Sequence, residues 1–336
     1  MAKFPHTFLL LTWILLSLGG CQSVPSVSTA AQLPLQHAKR NHEAQERLDL
    51  KKFYQLKQQT QRPIVALVLG SGGARGYAHI GVIDILEKSG IQPDFIVGTS
   101  AGSIVGSLYA SGKSAQQLKD IALAMKVNDV RDLTFNLKGF FEGRKVENYI
   151  NQKVNHQQLQ ELKIPMYVVA TELKEGRKTV FNYGNTGQAV RASISIPSMF
   201  IPTQIGHEEY VDGGLVSPVP VDVARRLGAD IIIAVDILAQ PEYTSTTNIW
   251  GLFNQNINIM QKNIADNELQ YADIIIRPDL REKNHIFDVK DREKIIDAGA
   301  EAALAQLPLI GQIYASNCKK IEKNQEQDNL KYYVNK

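Results

Sequence analysis

The chain has 336 residues, of which 44% are hydrophobic and 21% are charged, and it contains 24 glycines and 13 prolines. These figures are those of an ordinary globular protein, and they exclude a low-complexity, collagen-like or multi-span membrane protein. The net charge of +3 comes from 37 basic and 34 acidic residues, too even a balance to indicate a nucleic-acid-binding surface.

The first 20 residues have the pattern of an export signal. Lys3 precedes an apolar stretch from Phe8 to Leu18, which is shorter than the roughly 20 apolar residues of a membrane-spanning helix. Two glycines and then Cys21 follow, an order that resembles the lipobox of bacterial lipoproteins. We therefore expect a lipoprotein signal peptide over 1–20 and a lipid on the thiol of Cys21. An uncleaved anchor with an incidental cysteine is the alternative.

By the same resemblance, Gln22 in place of an aspartate predicts sorting to the outer membrane. We expect a protein secreted across the inner membrane and lipid-anchored to the outer membrane, facing the periplasm. Residues 21–62 then form the lipidated N-terminus and a polar tether, with a helical extension from His37 to Gln59. The second cysteine, Cys318, is predicted to be a bystander, and two cysteines in all exclude a disulfide framework.

From Ile64 onward, short β-branched runs alternate with helical patterns. Strands are predicted at 64–69, 94–98, 165–170, 178–183, 230–237 and 272–278, and helices at 77–88, 101–110, 221–228, 248–270 and 291–306. The strand runs are continuously apolar, which indicates an α/β domain of three layers, α/β/α, whose mostly parallel central sheet is covered on both faces. We expect this domain over 63–310 and a loose polar tail over 311–336.

The sharpest chemical signal is Gly98-Thr99-Ser100-Ala101-Gly102, between a predicted strand and a predicted helix. This is the context of a nucleophile elbow, in which a tight turn pushes the serine hydroxyl out of the sheet. Side chains two residues before and after the serine would collide, hence Gly98 and Gly102. Ser100 would also stand at a helix N-terminus, which favours negative charge.

A glycine loop, GSGGARG over Gly70–Gly76, directly follows the first strand. Its sixth residue is Arg75, so the loop does not fit the dinucleotide pattern G-x-G-x-x-G. The stretch from Gly106 to Ser114 is likewise not a phosphate-binding loop, because five residues rather than four separate its glycines. The glycine loop is better interpreted as an oxyanion hole with Gly72 and Gly73 as donors.

A third element is Asp212-Gly213-Gly214, a carboxylate followed by two glycines that permit close approach to another loop. On its own, this Asp-Gly-Gly sequence indicates only a turn. The three motifs in this order closely resemble the patatin-like phospholipase family, from about Ile64 to about Pro308. The stretches Arg191-Ala192-Ser193 and Ile196-Pro197-Ser198-Met199-Phe200 also look like a family segment.

This resemblance implies a serine acyl hydrolase of the phospholipase, lysophospholipase or carboxylesterase type. Ser100 falls on the family nucleophile and Asp212 on the proton acceptor, while Gly72, Gly73 and Arg75 fall on the oxyanion loop. Gly213 and Gly214 complete the aspartate motif. The substrate class is then a membrane lipid, and no cofactor, metal ion or nucleic acid is expected.

Two alternatives stay open. A Ser-Asp-His triad of the α/β-hydrolase type is available in chain order, with His285 as its base. A catalytically inactive lipid-binding lipoprotein is the second. His79 lies within a predicted helix and is interpreted as structural. A separate question is whether the apolar side chains of Ile196, Met199, Phe200 and Ile201 line an acyl pocket or belong to the core.

Overall fold

A strand is present at each of the six predicted positions, and the structure adds four strands that were not predicted. The computed structural model describes residues 42–238, 240–241, 247–280 and 291–334, all within one compact unit, Asn41–Lys336. Ten strands are present in these ranges: β1 Val65–Leu69, β2 Phe95–Thr99, β3 Leu133–Asn136, β4 Gly139–Phe141, β5 Met166–Glu172, β6 Lys178–Phe181, β7 Thr203–Ile205, β8 Glu208–Asp212, β9 Ile231–Val235 and β10 Ile274–Ile276.

Helices separate most of these strands. The described ranges contain α1 Lys52–Thr60, α2 Tyr77–Lys88, α3 Ala101–Ala110, α4 Ala115–Ala124, α5 Val127–Val130, α6 Arg144–Lys153, α7 Thr186–Ser193, α8 Val221–Arg226, α9 Ile249–Leu269 and α10 Arg292–Val334. The predicted bounds of α2 and α3 are confirmed to the residue. Within the described residues, no helix is both long and apolar enough to cross a membrane.

The central sheet has eight strands in the order β10-β9-β1-β2-β5-β8-β7, with β6 paired to β5 off this path. The five strands from β10 to β5 are parallel, whereas β6, β7 and β8 join by antiparallel pairing. The sheet is therefore mixed and mostly parallel, as predicted. Strands β3 and β4 form a separate antiparallel hairpin.

Two apolar clusters cover the two faces of this sheet, because alternate residues of each strand point in opposite directions. In β1, Val65, Leu67 and Leu69 pack toward α2, α3 and α10, while Ala66 and Val68 pack toward α1, α8 and α9. The three-layer α/β/α arrangement is thus confirmed. The carboxyl ends of β1 and β2 lie side by side at one edge, where parallel sheets place their ligands.

The helix expected from His37 to Gln59 is wrong over residues 42–51, and its residues 37–41 lie outside the described part of the chain. Residues 42–50 are not helical, and Gln45 pairs with Tyr183 beside the sheet. Only Lys52–Thr60 is helical, with Phe53 buried against Phe95 at a ring distance of 4.2 Å. Tertiary contacts of this segment outweigh its helical propensity.

The loose tail expected from residue 311 is also wrong for 311–334, which continue α10. The helix runs through Pro308, and Ile310 beyond it is buried. Two glycines let α10 cross α2 at close range: a Cβ on Gly81 would lie 1.8 Å from the Ile296 carbonyl oxygen, and one on Gly299 would lie 2.0 Å from that of Ala78. Packing of this apolar face keeps the helix going past the proline.

Candidate active site

The turn between β2 and α3 holds Ser100 in a strained backbone conformation, with φ 53° and ψ −118°. Non-glycine residues adopt such angles only where the surrounding structure enforces them. The flanking glycines permit the turn: a Cβ on Gly98 would lie 2.6 Å from the carbonyl oxygen of Gly102, and one on Gly102 would lie 2.0 Å from that of Leu69. The geometry is that of the predicted nucleophile elbow.

The hydroxyl of Ser100 donates a hydrogen bond of 2.6 Å to Oδ2 of Asp212. Asp212 ends β8, and its other oxygen, Oδ1, accepts the N–H of Gly214 at 2.7 Å. Both side chains are buried, each residue being 4% exposed. Gly213 allows this approach, because a Cβ there would lie 2.3 Å from the carbonyl oxygen of Val169. Two residues 112 positions apart are thereby brought into direct contact.

Burial raises the pKa of Asp212 from 3.8 to about 6, while the hydrogen bonds from Ser100 and Gly214 act in the opposite direction. Removing a carboxylate from water disfavours its charged form, which makes the ionised form a stronger base. The pair therefore consists of a serine in a strained backbone conformation and a carboxylate of increased basicity. A short hydrogen bond joins the serine hydroxyl to the carboxylate.

The glycine loop lies against the start of α3, since a Cβ on Gly76 would lie 2.7 Å from the Cβ of Ala101. Gly73, with φ 59°, lines the same cavity as Ser100. Gly72 is packed against Ile237, whose carbonyl oxygen a Cβ there would approach to 2.8 Å. Within the described residues, the backbone N–H groups of Gly72 and Gly73 engage no carbonyl oxygen. They are therefore among the donors of this loop that remain for a ligand.

Arg75 stabilises the glycine loop through a contact with Ile237. Its side chain is buried, and Nε donates to the carbonyl oxygen of Ile237 at 2.8 Å. Burial lowers its pKa to about 10, against the effect of nearby Asp236. Arg75 is not among the residues lining the cavity. The side chain therefore contacts the segment that follows β9 and holds the loop in place.

His79 serves the same loop. Its Nε2 contacts the carbonyl oxygen of Gly70 at 2.9 Å, and burial lowers the pKa of the imidazole to about 4. The structure thus places His79 in a supporting position, as predicted. The alternative base, His285, lies outside the described residues, as does Cys21. No group of three metal-ligating side chains occurs in the ranges that the structure describes.

Three hydroxyl groups that sequence reasoning missed hold the backbone on both sides of the Ser100–Asp212 contact. Ser193 accepts the N–H of Ser100 at 2.8 Å and donates to the carbonyl oxygen of Val169 at 2.6 Å. Thr171 donates to the carbonyl oxygen of Asp212 at 2.8 Å. Thr99 donates to that of Ser217 at 2.9 Å. The motif Arg191-Ala192-Ser193 marked the stretch in the sequence, but nothing local revealed what Ser193 would contact.

A cavity of about 490 Å³ extends from Ser100 between α2, α3, α4, α5 and α6. Its lining is almost entirely apolar and includes Ile104, Leu108 and Val146. Of the four side chains considered for an acyl pocket, Ile196, Met199 and Phe200 line this cavity; Ile201 does not. A volume of this size is that of a small-molecule ligand pocket.

The sequence and fold were compared with those of known proteins. Residues 67–225 match the family model described as patatin-like phospholipase. A stretch of 208 residues is 34% identical to patatin-like phospholipase domain-containing protein 6 of Homo sapiens, covering 58% of this chain and 15% of that protein. Another comparison gives 35% identity over 178 residues with an uncharacterized NTE family protein of Mycobacterium tuberculosis, covering 52% of this chain and 49% of that one. This chain spans less than half the length of these curated relatives.

Among solved structures, VipD from Legionella pneumophila superposes with a TM-score of 0.52. The match covers 76% of this chain and 67% of that one, at 13% sequence identity. At so low an identity the likeness is one of fold. It covers a larger share of the chain than the residues matched by the family model.

Proposed function

We propose that the protein is a serine hydrolase of lipid acyl esters, because residues 67–225 match the patatin-like phospholipase model and the chain has the patatin-like fold that the sequence predicts. Ser100 is its nucleophile and Asp212 its proton acceptor. The observation that carries the proposal is the 2.6 Å hydrogen bond from the Ser100 hydroxyl to a buried Asp212 carboxylate. That bond lies at one end of an apolar cavity.

In the proposed reaction, Oγ of Ser100 attacks the ester carbonyl carbon while its proton moves to Oδ2 of Asp212. The proton then passes to the leaving alcohol, and an acyl-enzyme remains. Water next attacks the acyl carbon, giving up a proton to Asp212, which returns it to Ser100 as the fatty acid leaves. A carboxylate with a pKa of about 6 suits this exchange better than one with the ordinary value of 3.8.

The developing oxyanion needs donors close to the acyl carbon. The N–H groups of Gly72 and Gly73 engage no carbonyl oxygen in the described part of the chain, and Gly73 lines the cavity with Ser100. Helix α3 begins at Ala101, the residue after Ser100, and the dipole at its N-terminus also favours the negative charge. We assign the oxyanion hole to this loop, with Arg75 positioning it through Ile237.

An acyl chain is the ligand that best fits a cavity lined by aliphatic and aromatic side chains. Phospholipids and lysophospholipids are therefore the proposed substrates. The name of the human relative, patatin-like phospholipase domain-containing protein 6, supports the same class.

We further propose that the protein is lipidated at Cys21 and anchored to the outer membrane on its periplasmic side. The support is the sequence of residues 1–22 alone. Expression in cells fed radiolabelled palmitate tests it: wild type should incorporate label and a Cys21→Ser variant should not. Label retained in the variant would place the lipid elsewhere.

Hydrolysis of a p-nitrophenyl ester tests the catalytic assignment. Ser100→Ala and Asp212→Asn should abolish activity, and His285→Ala should retain it. Loss in the His285 variant with its fold intact would replace the dyad by a Ser-Asp-His triad. A folded wild type that hydrolyses neither this ester nor phospholipid would instead be the inactive lipid-binding protein.

A further inference from the structure

The β3–β4 hairpin, residues 133–141, exposes a concentration of apolar side chains. Leu133 is 80% exposed, Phe140 54%, and Leu137 at the tip is exposed in full. An isolated exposed leucine needs no explanation. Several exposed apolar side chains on one short segment indicate a surface that binds a protein, a membrane or a ligand. The hairpin pairs with no strand of the central sheet, so these side chains are not the edge of a larger core.

The base of this hairpin is part of the wall of the catalytic cavity. The N–H groups of Phe140 and Phe141 donate to the carbonyl oxygen of Met199 at 2.8 and 2.9 Å, and Ile201 donates to that of Phe141 at 2.9 Å. The rings of Phe141 and Phe200 lie 5.6 Å apart. Phe141, Met199 and Phe200 all line the cavity that contains Ser100. The exposed apolar tip is therefore continuous with the apolar interior.

Exposed cations lie within the hairpin and on both sides of it along the chain. Between residues 126 and 145 the chain carries five basic residues, all exposed, and three acidic ones. The five are Lys126, Arg131, Lys138, Arg144 and Lys145. Lys138 pairs with Glu209 at 2.7 Å and Arg144 with Glu142 at 2.6 Å, so a positive excess remains after pairing. Apolar side chains among cations are the composition of a segment that lies in the headgroup region of an anionic bilayer.

We propose that the β3–β4 hairpin docks the protein on a lipid bilayer that contains anionic headgroups. Leu133, Leu137 and Phe140 enter the boundary between headgroups and acyl chains, which sets the cavity beside the membrane surface that holds the substrate. The choice of a bilayer as partner rests on the proposed lipid hydrolase function. A second copy of the chain is a poorer occupant: three side chains bury on the order of 500 Å² at most, against the about 800 Å² per partner of a stable interface.

Vesicle flotation tests this with the unit Asn41–Lys336, which contains every element that the structure describes. The vesicles consist of phosphatidylcholine and phosphatidylglycerol in equal parts. Wild type should float, and Leu137→Asp should lose about nine-tenths of the bound fraction, a tenfold weaker binding. Leu137→Trp should float at least as well, because tryptophan favours the membrane interface. Leu304→Asp on α10, where Leu304 is 57% exposed, is the matched control and should float like wild type.

Circular dichroism establishes that each variant is folded, and hydrolysis of soluble p-nitrophenyl butyrate is measured on the same samples. Equal flotation of wild type and Leu137→Asp, with the ester still hydrolysed, would overturn the docking proposal and leave the proposed function intact. Flotation that depends on Leu137 without any ester hydrolysis would support docking and remove the proposed function. A wild-type dimer that fails to float and becomes a monomer in Leu137→Asp would assign the hairpin to a second copy instead.

Discussion

At the scale of single residues, the burial of Asp212 beside Ser100 favours the proposed activity but lowers the stability of the fold. Burial raises the pKa of Asp212 from 3.8 to about 6, so the folded state binds a proton more tightly than the unfolded state does. The ionised carboxylate therefore lowers the free energy of unfolding. A shift of about two pKa units corresponds to about 3 kcal/mol. This destabilisation is absent below about pH 4, develops between pH 4 and 6, and is complete above that.

Asp212→Asn should therefore inactivate the protein and stabilise it. The amide cannot accept the Ser100 proton, so ester hydrolysis should fall by about 100- to 10,000-fold. The midpoint of thermal unfolding should rise at pH 8, where the wild-type carboxylate is charged, and the rise should shrink at pH 4. A variant that melts below wild type at pH 8 would contradict this account of the buried charge.

The pH dependence of activity follows from the same pKa. Because the base must be ionised to accept a proton, kcat/KM for a soluble ester should rise about tenfold per pH unit below pH 6 and level off above it. The measurement is a rate profile from pH 4.5 to 9 on folded enzyme. A rise that continues to pH 8 would indicate a different base.

Ser193 holds the backbone of Ser100, the proposed nucleophile, and its removal should reduce turnover. Ser193→Ala leaves the buried N–H of Ser100 and the carbonyl oxygen of Val169 without this partner, which costs about 1–3 kcal/mol of stability. We expect a lower kcat with little change in KM. Ser195→Ala is the control, because that hydroxyl contacts Arg191 and Thr203 but not Ser100. Equal loss of kcat in both variants would mean that general destabilisation, not positioning, is responsible.

At this scale, how well a contact can be predicted from the sequence depends on how far apart its two residues lie along the chain. Ser100, with its two flanking glycines, can be predicted because the elbow is built from five consecutive residues. The contacts of Ser193 and Thr171 span 93 and 41 positions, and no local pattern encodes them. The meeting of Ser100 with Asp212 was predicted through a family resemblance and not from spacing.

At the scale of elements, predictions were correct where the apolar periodicity of a segment agreed with the residues that mark its ends. Helix α2 combines an apolar face with Gly90 after its end, and its bounds were predicted to the residue. Helix α4 was missed although Ser114 and Gln117 form a capping box, a signal that was present in the sequence. The β3–β4 hairpin was missed because Leu133, Leu137 and Phe140 are exposed, so their burial imposes no alternating strand pattern.

The crossing of α2 and α10 depends on the absence of a side chain at Gly81. Replacing glycine by alanine within a helix usually stabilises it by about 1 kcal/mol. Gly81→Ala should instead destabilise the protein, since the new Cβ would lie 1.8 Å from the carbonyl oxygen of Ile296. Gly311→Ala in α10 is the control: apart from its chain neighbours and the nearby backbone of its own helix, no atom lies within 4 Å of the added Cβ, so it should be neutral or stabilising. Thermal unfolding of both variants checks the opposite signs.

At the scale of the whole molecule, the cavity is assembled from distant parts of the chain. Arg292 at the start of α10 donates to the carbonyl oxygens of Ala122 and Met125 at 2.6 and 2.8 Å, closing the end of α4. Arg292 and Ala122 both line the cavity. Its volume is therefore a property of the complete fold and could not be predicted from any one segment.

The length of acyl chain accepted should depend on Ala122. A phenyl ring in Ala122→Phe would occupy part of the cavity, so hydrolysis of p-nitrophenyl palmitate should fall by about tenfold or more. Hydrolysis of the butyrate ester should change little, because a short chain does not need that space. Leu123→Phe, whose side chain is exposed and does not line the cavity, should affect neither substrate. An equal loss for both esters in Ala122→Phe would show that the fold, not the acyl chain, is disturbed.

The pairing of β1 has a consequence for any attempt to isolate the catalytic region. Its neighbours are β2, which follows at once, and β9, whose Ile231 pairs with Val65. The family match stops at residue 225, after Ser100 and Asp212 but before β9. A fragment cut at that limit would keep both catalytic groups and leave one whole edge of an apolar strand open to other molecules, which invites aggregation. The region matched by the family model is thus smaller than the smallest piece that can be expected to remain in solution.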